Sequence, residues 1–210
     1  AGDCFGLCLA YSGSFTAMVQ KDQRDQIRVQ MGINPYQFRW CLTEGETFFA
    51  PQVILSFSNQ GFSKLSHQYH DILHEHMCRG RYKHERRPVL INNWEATYFD
   101  FNEEKIEKIA AQAGELGIEM MVLDDGWFGK RDDDNSGLGD WFVNEKKIRG
   151  GLPKLSEKIH EKGMKFGLWF EPEMISEDSD LYRAHPDWAI TIPGRVPNHS
   201  RNQLVLDMTR

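Results

Sequence analysis

No run of about 18 apolar residues occurs in the chain, which excludes a membrane-spanning helix. Positive charge is in deficit: Lys and Arg number 25 against 31 Asp and Glu, a formal net charge of −6. Phosphate recognition needs a net basic face, so nucleic acid is not expected as the main partner. Cysteine is sparse. Four in 210 residues (Cys4, Cys8, Cys41 and Cys78) make no disulfide scaffold, and the spacing of Cys4 and Cys8 fits neither a CxxC redox motif nor a zinc knuckle. They are expected to be small buried hydrophobes, consistent with a reducing compartment. No basic segment followed by an apolar stretch opens the chain, so no signal peptide is expected. Low-complexity segments and short repeats are also missing. The chain lacks an initiator Met and stops at Arg210 straight after an apolar run, which reads as a segment of something longer.

What is present is a globular composition, 40% hydrophobic and 12% aromatic, with enough length for one large domain or parts of two. Residues 1 to about 60 carry short apolar runs separated by turn residues. Phe5 to Tyr11, Phe15 to Val19, Ile27 to Met31, Phe38 to Leu42 and Thr47 to Phe57 are the expected strands, and their spacing predicts an antiparallel sandwich. Around Ser63 the period changes. Leu65, Tyr69, Ile72, Leu73 and Met77 fall on one helical face, with Ser63 as the expected N-cap. A basic stretch from Arg79 to Arg87 comes next and reads as a connection, placing the domains at 1–80 and 81–210.

From Val89 the pattern becomes strand, helix, strand, helix. Val89 to Asn92, Ile118 to Leu123 and Lys165 to Phe170 are the expected strands. Glu103 to Leu116, Leu155 to Lys162 and Ser179 to Ala184 are the expected helices, the first with Asp100 and Glu103 as a capping box. Leu204 to Leu206 reads as part of a fourth strand. Repeated units of this kind predict a parallel sheet. No GxGxxG or GxxxxGK[ST] stands after any strand, which weakens a nucleotide-binding reading. The strands end instead in Asn92-Asn93-Trp94-Glu95, Asp124-Asp125-Gly126-Trp127 and Trp169-Phe170-Glu171-Pro172-Glu173. Polar and aromatic groups at successive strand ends are how a (β/α)8 barrel builds its site, and residues 86 to 210 are half of the roughly 250 that a whole barrel needs.

Adjacent carboxylates leaving a buried strand repel one another and carry a desolvation cost. A polyhydroxylated ligand, a metal or a catalytic role would each supply partners to Asp124 and Asp125; so would a plain turn, Asp-Asp-Gly being good turn chemistry. Trp94, Trp127, Trp141 and Trp169 lie near the strand ends, and flat apolar faces beside carboxylates suit sugar rings, although each Trp taken singly fits a core equally well. On the residues alone, Asp125 and Glu171 are the glycosidase pair to favour. Three other clusters compete. Asp132 to Gly137 begins like a calcium loop, but Val143 stands where the bidentate Glu belongs. His70, His74, His76 and Cys78 complete no zinc spacing. Arg79, Arg81, Lys83, Arg86 and Arg87 fit an interdomain contact better than a phosphate site.

Ile91 to Phe99, Leu123 to Gly129, Gly167 to Met174 and Ser200 to Asp207 together resemble the bacterial α-galactosidases of glycoside hydrolase family 36, and Gly32-Ile33-Asn34-Pro35 extends the likeness into the β region. The resemblance implies the end of a β-sandwich domain followed by the first half of a (β/α)8 barrel. It implies retaining hydrolysis of terminal α-galactose from melibiose, raffinose or stachyose, with no metal or cofactor, in a cytoplasmic homo-oligomer such as a tetramer. Carried over by motif, Asp124 and Asp125 would accept the galactose C4 and C6 hydroxyls. Trp94 and Trp169 would wall the pocket, and Arg201 would help to hold the sugar. This replaces the Asp125 and Glu171 pair: the family's nucleophile and acid/base belong to later motifs, expected beyond Arg210, so the isolated chain is expected to be inactive. The alternatives within the family are a galactosyltransferase or an enzyme acting on N-acetylgalactosamine, a choice set by pocket walls outside this chain. From another class, the alternative is a catalytically dead carbohydrate-binding protein, which intact Asp124, Asp125, Trp94 and Arg201 fit equally. A metal-dependent barrel hydrolase is disfavoured because no His accompanies the aspartates.

Overall fold

The computed structural model describes residues 2–36, 38–197 and 201–210. The chain divides into two compact units, Ala1–Arg86 and Arg87–Arg210.

The first unit opens with β1 (Cys4–Ala10), β2 (Phe15–Lys21), β3 (Ile27–Ile33) and β4 (Gln52–Ser58), followed by α1 (Phe62–Ile72) and a π turn at Leu73–Met77. β1 pairs antiparallel with β4, and β2 with β3, as two separate two-stranded sheets. The expected sandwich is therefore represented by two pairs, and Phe38 to Leu42 forms no strand. The alternation there is absorbed by local ring contacts instead: Phe38 and Trp40 lie 6.1 and 5.1 Å from Phe48. On β1 the small residues face α1. A Cβ on Gly6 would come within 2.7 Å of the Tyr69 ring, whose hydroxyl donates to the Ile54 carbonyl at 3.2 Å. The helix begins at N-cap Gly61 without a side-chain cap, so Ser63 lies within the first turn. Cys4 is buried, Cys8 and Cys78 are half-buried and Cys41 is exposed, so burial holds for only some of the thiols.

The second unit runs β5 (Leu90–Asn92), α2 (Trp94–Thr97), α3 (Glu103–Glu115), β6 (Met120–Leu123), α4 (Gly151–His160), β7 (Lys165–Leu168), β8 (Met174–Ile175), α5 (Asp180–Ala184) and β9 (Leu204–Val205). β5, β6 and β7 form a parallel sheet in that order. Two expectations are corrected. The cap of α3 is Asn102, whose side chain accepts from the Lys105 amide at 3.0 Å, while Asp100 pairs with the Lys105 ammonium at 2.7 Å. Extended geometry at Asn102 lets its short side chain reach the third amide, the ordinary N-cap arrangement. Leu204–Val205 pairs antiparallel with Met174–Ile175, so it does not join the parallel sheet.

The core forms because one face of each helix is apolar. Ile106, Ala110 and Ala113 of α3 and Leu155 and Ile159 of α4 pack with Met121 and Leu123 of β6. Trp127, Phe128, Leu138 and Ile148 from the long β6–α4 connection join the same cluster.

Candidate functional site

Parallel pairing brings the carboxyl ends of β5, β6 and β7 to one edge of the sheet, and the residues singled out in sequence stand just past those ends. Asn93, fully buried, stitches two ends together: its side-chain oxygen accepts the Asp124 amide at 2.8 Å, and its side-chain nitrogen donates to Thr97 Oγ1 at 2.9 Å. The Trp169 amide in turn donates to the Leu123 carbonyl at 2.9 Å. Trp94, Asp124, Asp125 and Trp169 are thus carried by three adjoining strand ends.

The two aspartates have different surroundings. Asp124 is half-buried, and its Oδ1 accepts the Asp125 amide at 2.7 Å. Asp125 is buried, and both of its oxygens are gripped by Arg131. Nε lies 3.0 Å from Oδ1 and 3.2 Å from Oδ2, and Nη2 lies 2.9 Å from Oδ2. Arg131 itself is wholly buried, and its Nη1 donates to the Ser136 carbonyl at 2.9 Å. Gly126 completes the turn at φ +95, where a Cβ would meet the Phe99 ring at 2.9 Å and the Arg131 carbonyl at 3.3 Å. That position tolerates only glycine without displacement.

Of these four tryptophans only one is buried. Trp127 is 2% exposed and belongs to the core; its Nε1 donates to the Trp169 carbonyl at 3.0 Å, so it braces the end of β7. Trp141 packs on Phe128 at 4.3 Å as part of the same aromatic cluster. Trp94, Trp141 and Trp169 are all half-buried. Trp94 meets Phe99 and Tyr98 edge-on at 5.1 and 5.2 Å, and the Arg131 guanidinium lies 5.7 Å over Phe99. Tyr98 adopts φ 47, an uncommon conformation for an aromatic residue. Its hydroxyl donates to Glu95 at 3.2 Å, and that carboxylate pushes the phenol pKa above its usual value.

Glu171 accepts from the buried Gln203 side chain at 3.3 Å, so the segment after Arg201 is tied to the end of β7. Arg201 is exposed at φ 54. Ser200, the first residue of its motif, lies outside the described residues.

The calcium-like loop uses its carboxylates internally. Asp132 pairs with Lys147 at 2.6 Å, Asp133 accepts the Asn135 amide at 2.7 Å, and Asp134 lies 3.7 Å from Arg131. No group of three or more His, Cys, Asp or Glu is placed to hold a metal among the described residues. No helix among them is long and apolar enough to cross a membrane.

The family model described as melibiase matches residues 47–210, and that of the glycosyl hydrolase family 36 N-terminal domain matches residues 1–43. The chain belongs to the melibiase family. It is 58% identical over 210 residues to the bifunctional α-galactosidase/sucrose kinase AgaSK of Mediterraneibacter gnavus, covering 100% of this chain and 22% of that protein. Two structures of variants of the family 36 α-galactosidase AgaA of Geobacillus stearothermophilus superpose with a TM-score of 0.95 each, one in complex with raffinose and one with stachyose. Both are 52% identical to this melibiase-family chain, which is covered completely and spans 29% of theirs.

Sequence reasoning missed Arg131, Asn93 and Lys147. The signal for Arg131 was available, since two carboxylates leaving a buried strand require a cation, and an arginine stands six residues after the second. Asn93 and Lys147 left no comparable trace, because the contacts by which they brace the site are to backbone atoms, the Asp124 amide for Asn93 and three carbonyls for Lys147. The Lys147 ammonium holds the carbonyls of Phe99, Gly126 and Arg131 at 3.0, 3.1 and 3.3 Å.

Proposed function

We propose that the protein containing this chain removes terminal α-D-galactose from α-galactosides such as melibiose, raffinose and stachyose, and that the strand ends form its galactose-binding wall. The observation that carries this reading is the grouping of two carboxylates and two half-buried indoles on three adjoining strand ends, in a chain of a glycosidase family. Carboxylates accept sugar hydroxyls, and the apolar face of a pyranose packs on an aromatic ring. Asp124 and Asp125 accept the C4 and C6 hydroxyls, Trp94 and Trp169 wall the ring, and Arg201 donates to the sugar. Retention proceeds through a covalent galactosyl-enzyme, with a nucleophile and an acid/base carboxyl supplied outside these 210 residues.

The three parallel strands and their helices are the beginning of a (β/α)8 barrel, and the two antiparallel pairs are the end of a β-sandwich, with a boundary at residues 80–81. Neither metal nor cofactor takes part. The enzyme works in the cytoplasm as a homo-oligomer.

The test is turnover of p-nitrophenyl α-D-galactoside by the full-length protein, with the anomer of the released galactose followed by NMR. Retained α-galactose supports the reading, whereas inversion or no turnover by folded protein sinks it. The 210-residue chain alone should give none; robust turnover by it would place the chemistry here.

A further inference from the structure

A buried ion pair is a weak stabiliser, because two desolvated charges recover little more than they lose. Arg131 and Asp125 form such a pair, 0% and 6% exposed at their side chains. Apolar residues of similar volume would fill the same space at least as stably. The geometry of the pair shows what else it does. The Nε edge of the guanidinium meets both carboxylate oxygens, a fork that fixes the carboxylate plane as well as its charge. The remaining arm is anchored on the Ser136 carbonyl, and Gly137 lies so close, its would-be Cβ 3.1 Å from the Arg131 amide, that the loop seals over the arginine.

Three groups that face the sugar in the proposed function meet at this one side chain. Asp125 is held directly. Asp124 is held through the Asp125 amide, which occupies its Oδ1. Trp94 is reached through Phe99, which packs edge-on against the indole and beneath the guanidinium.

We propose that Arg131 is a positioning residue of the galactose site: it orients Asp125, and through the Asp125 amide and Phe99 it sets Asp124 and Trp94. This rests on the galactose-binding reading. It assigns affinity for the sugar to a residue that is sealed away from solvent.

The experiment measures D-galactose affinity by calorimetry, together with the melting temperature, on the full-length protein and its variants. Arg131→Lys keeps a buried cation but loses the fork. It is expected to weaken galactose binding by roughly tenfold to a hundredfold, the scale of a misplacement of about 1 Å. Arg131→Ala should weaken it further, and guanidinium ion at sub-denaturing concentration should restore part of the loss. Lys158→Met, which breaks the partly buried pair with Glu107 between α3 and α4, should leave galactose affinity within about twofold, a contact remote from the site being nearly additive with it. Wild-type affinity in folded Arg131→Lys would overturn the role of Arg131 alone. So would guanidinium that restores melting temperature in Arg131→Ala but not affinity. Absence of galactose binding by the wild type would remove the galactosidase reading, and the role of Arg131 with it.

Discussion

The two units of the chain are built from similar proportions of apolar residues but bury them very differently. In Ala1–Arg86 only Cys4, Ser58 and Leu65 are buried among the described residues, and β2 and β3 leave Phe15, Val19 and Ile27 at 55, 73 and 69% exposure. In Arg87–Arg210 one cluster runs from Phe101 to Met164, with Ile106, Met121, Leu123 and Phe128 at 0%. A two-stranded pair has no interior, since each face has at most one layer against it. A parallel sheet with helices packed on it encloses side chains, and only an enclosed environment can hold Asp125 and Arg131 in a fixed geometry. The candidate site accordingly stands in the second unit.

Equivalent charge pairs in the two units offer the widest contrast. Asp125→Asn leaves Arg131 buried without its forked counter-ion, with only the exposed Asp134 at 3.7 Å, and should destabilise the second unit by about 3–5 kcal/mol. Lys21 and Asp25 also form an ion pair at 2.7 Å, but with side chains 65 and 82% exposed, so solvent screens it. Asp25 sits at φ 60, which asparagine adopts readily, and Asp25→Asn should leave stability unchanged within error. Urea denaturation of the full-length variants checks both, and equal losses would break the contrast. Asp125→Asn is for the same reason a poor probe of sugar contact, because folding and binding fail together. Asp124→Asn, at a half-buried position whose bond to the Asp125 amide the amide oxygen can keep, is the cleaner one and should raise KM by roughly tenfold or more, a charged acceptor being replaced by a neutral one.

Side-chain truncation should separate the units next. Leu123→Ala removes a wholly buried side chain from the centre of the sheet and should cost about 2–5 kcal/mol. Val19→Ala at 73% exposure should cost well under about 1 kcal/mol, as for surface substitutions generally. Hydrogen exchange sharpens the comparison without mutation. Amides of α3 and β6 should exchange more slowly than those of β2 and β3 by orders of magnitude, because opening them exposes the core. Equal protection would mean that the β2–β3 pair is covered in solution.

The same contrast decides how much of the molecule was legible in the sequence. Period and turn residues located β1, β2, β3, β5, β6 and β7, each within a few positions, because those signals are local. Pairing is not local. Phe38 to Leu42 alternates like a strand yet forms no ladder, and Leu204 to Leu206 looked like a further parallel strand but pairs antiparallel with Met174–Ile175. At the site, the strand-end motifs named Trp94, Asp124, Asp125 and Trp169 as a group, and parallel pairing does bring them to one edge of the sheet. What the motifs could not show is that Asp124 and Asp125 differ: one is half-open and the other is clamped. That depends on where the loop after Gly126 folds, and on a glycine at Gly137 that lets it close. Trp127 resembled a pocket wall in sequence, and only its burial against Phe128 assigns it to the core, whereas Trp141 is half-buried like Trp169.

The smallest effect expected concerns pH, and it runs in opposite directions in the two units. In the first, His74 donates one ring nitrogen to the Lys83 carbonyl and the other to Glu75 at 2.8 Å, which requires the doubly protonated ring. The carbonyl above all, and then the carboxylate, raise its pKa above the ordinary imidazole value. A raised folded-state pKa contributes stability that is complete below the unfolded value and is lost as pH rises through the folded one. In the second unit, the hydrogen bond from Lys105 lowers the Asp100 pKa, and that from Arg183 lowers the Asp180 pKa. Their contribution is present above the ordinary carboxylate value and is lost only as pH falls through the lowered one. Raising the pH from mildly acidic to alkaline should therefore lower the protection of amides in 73–83, relative to their intrinsic base-catalysed exchange, while leaving the protection of α3 and α5 unchanged, and acidification should loosen the ends of those helices. All of these groups are solvent-exposed, so the changes should be slight and should shrink with added salt. The readout is an NMR titration of the His74 ring alongside hydrogen exchange. A His74 midpoint at or below the ordinary imidazole value, or alkaline loosening that persists in His74→Gln, would show that this contact does not hold the turn.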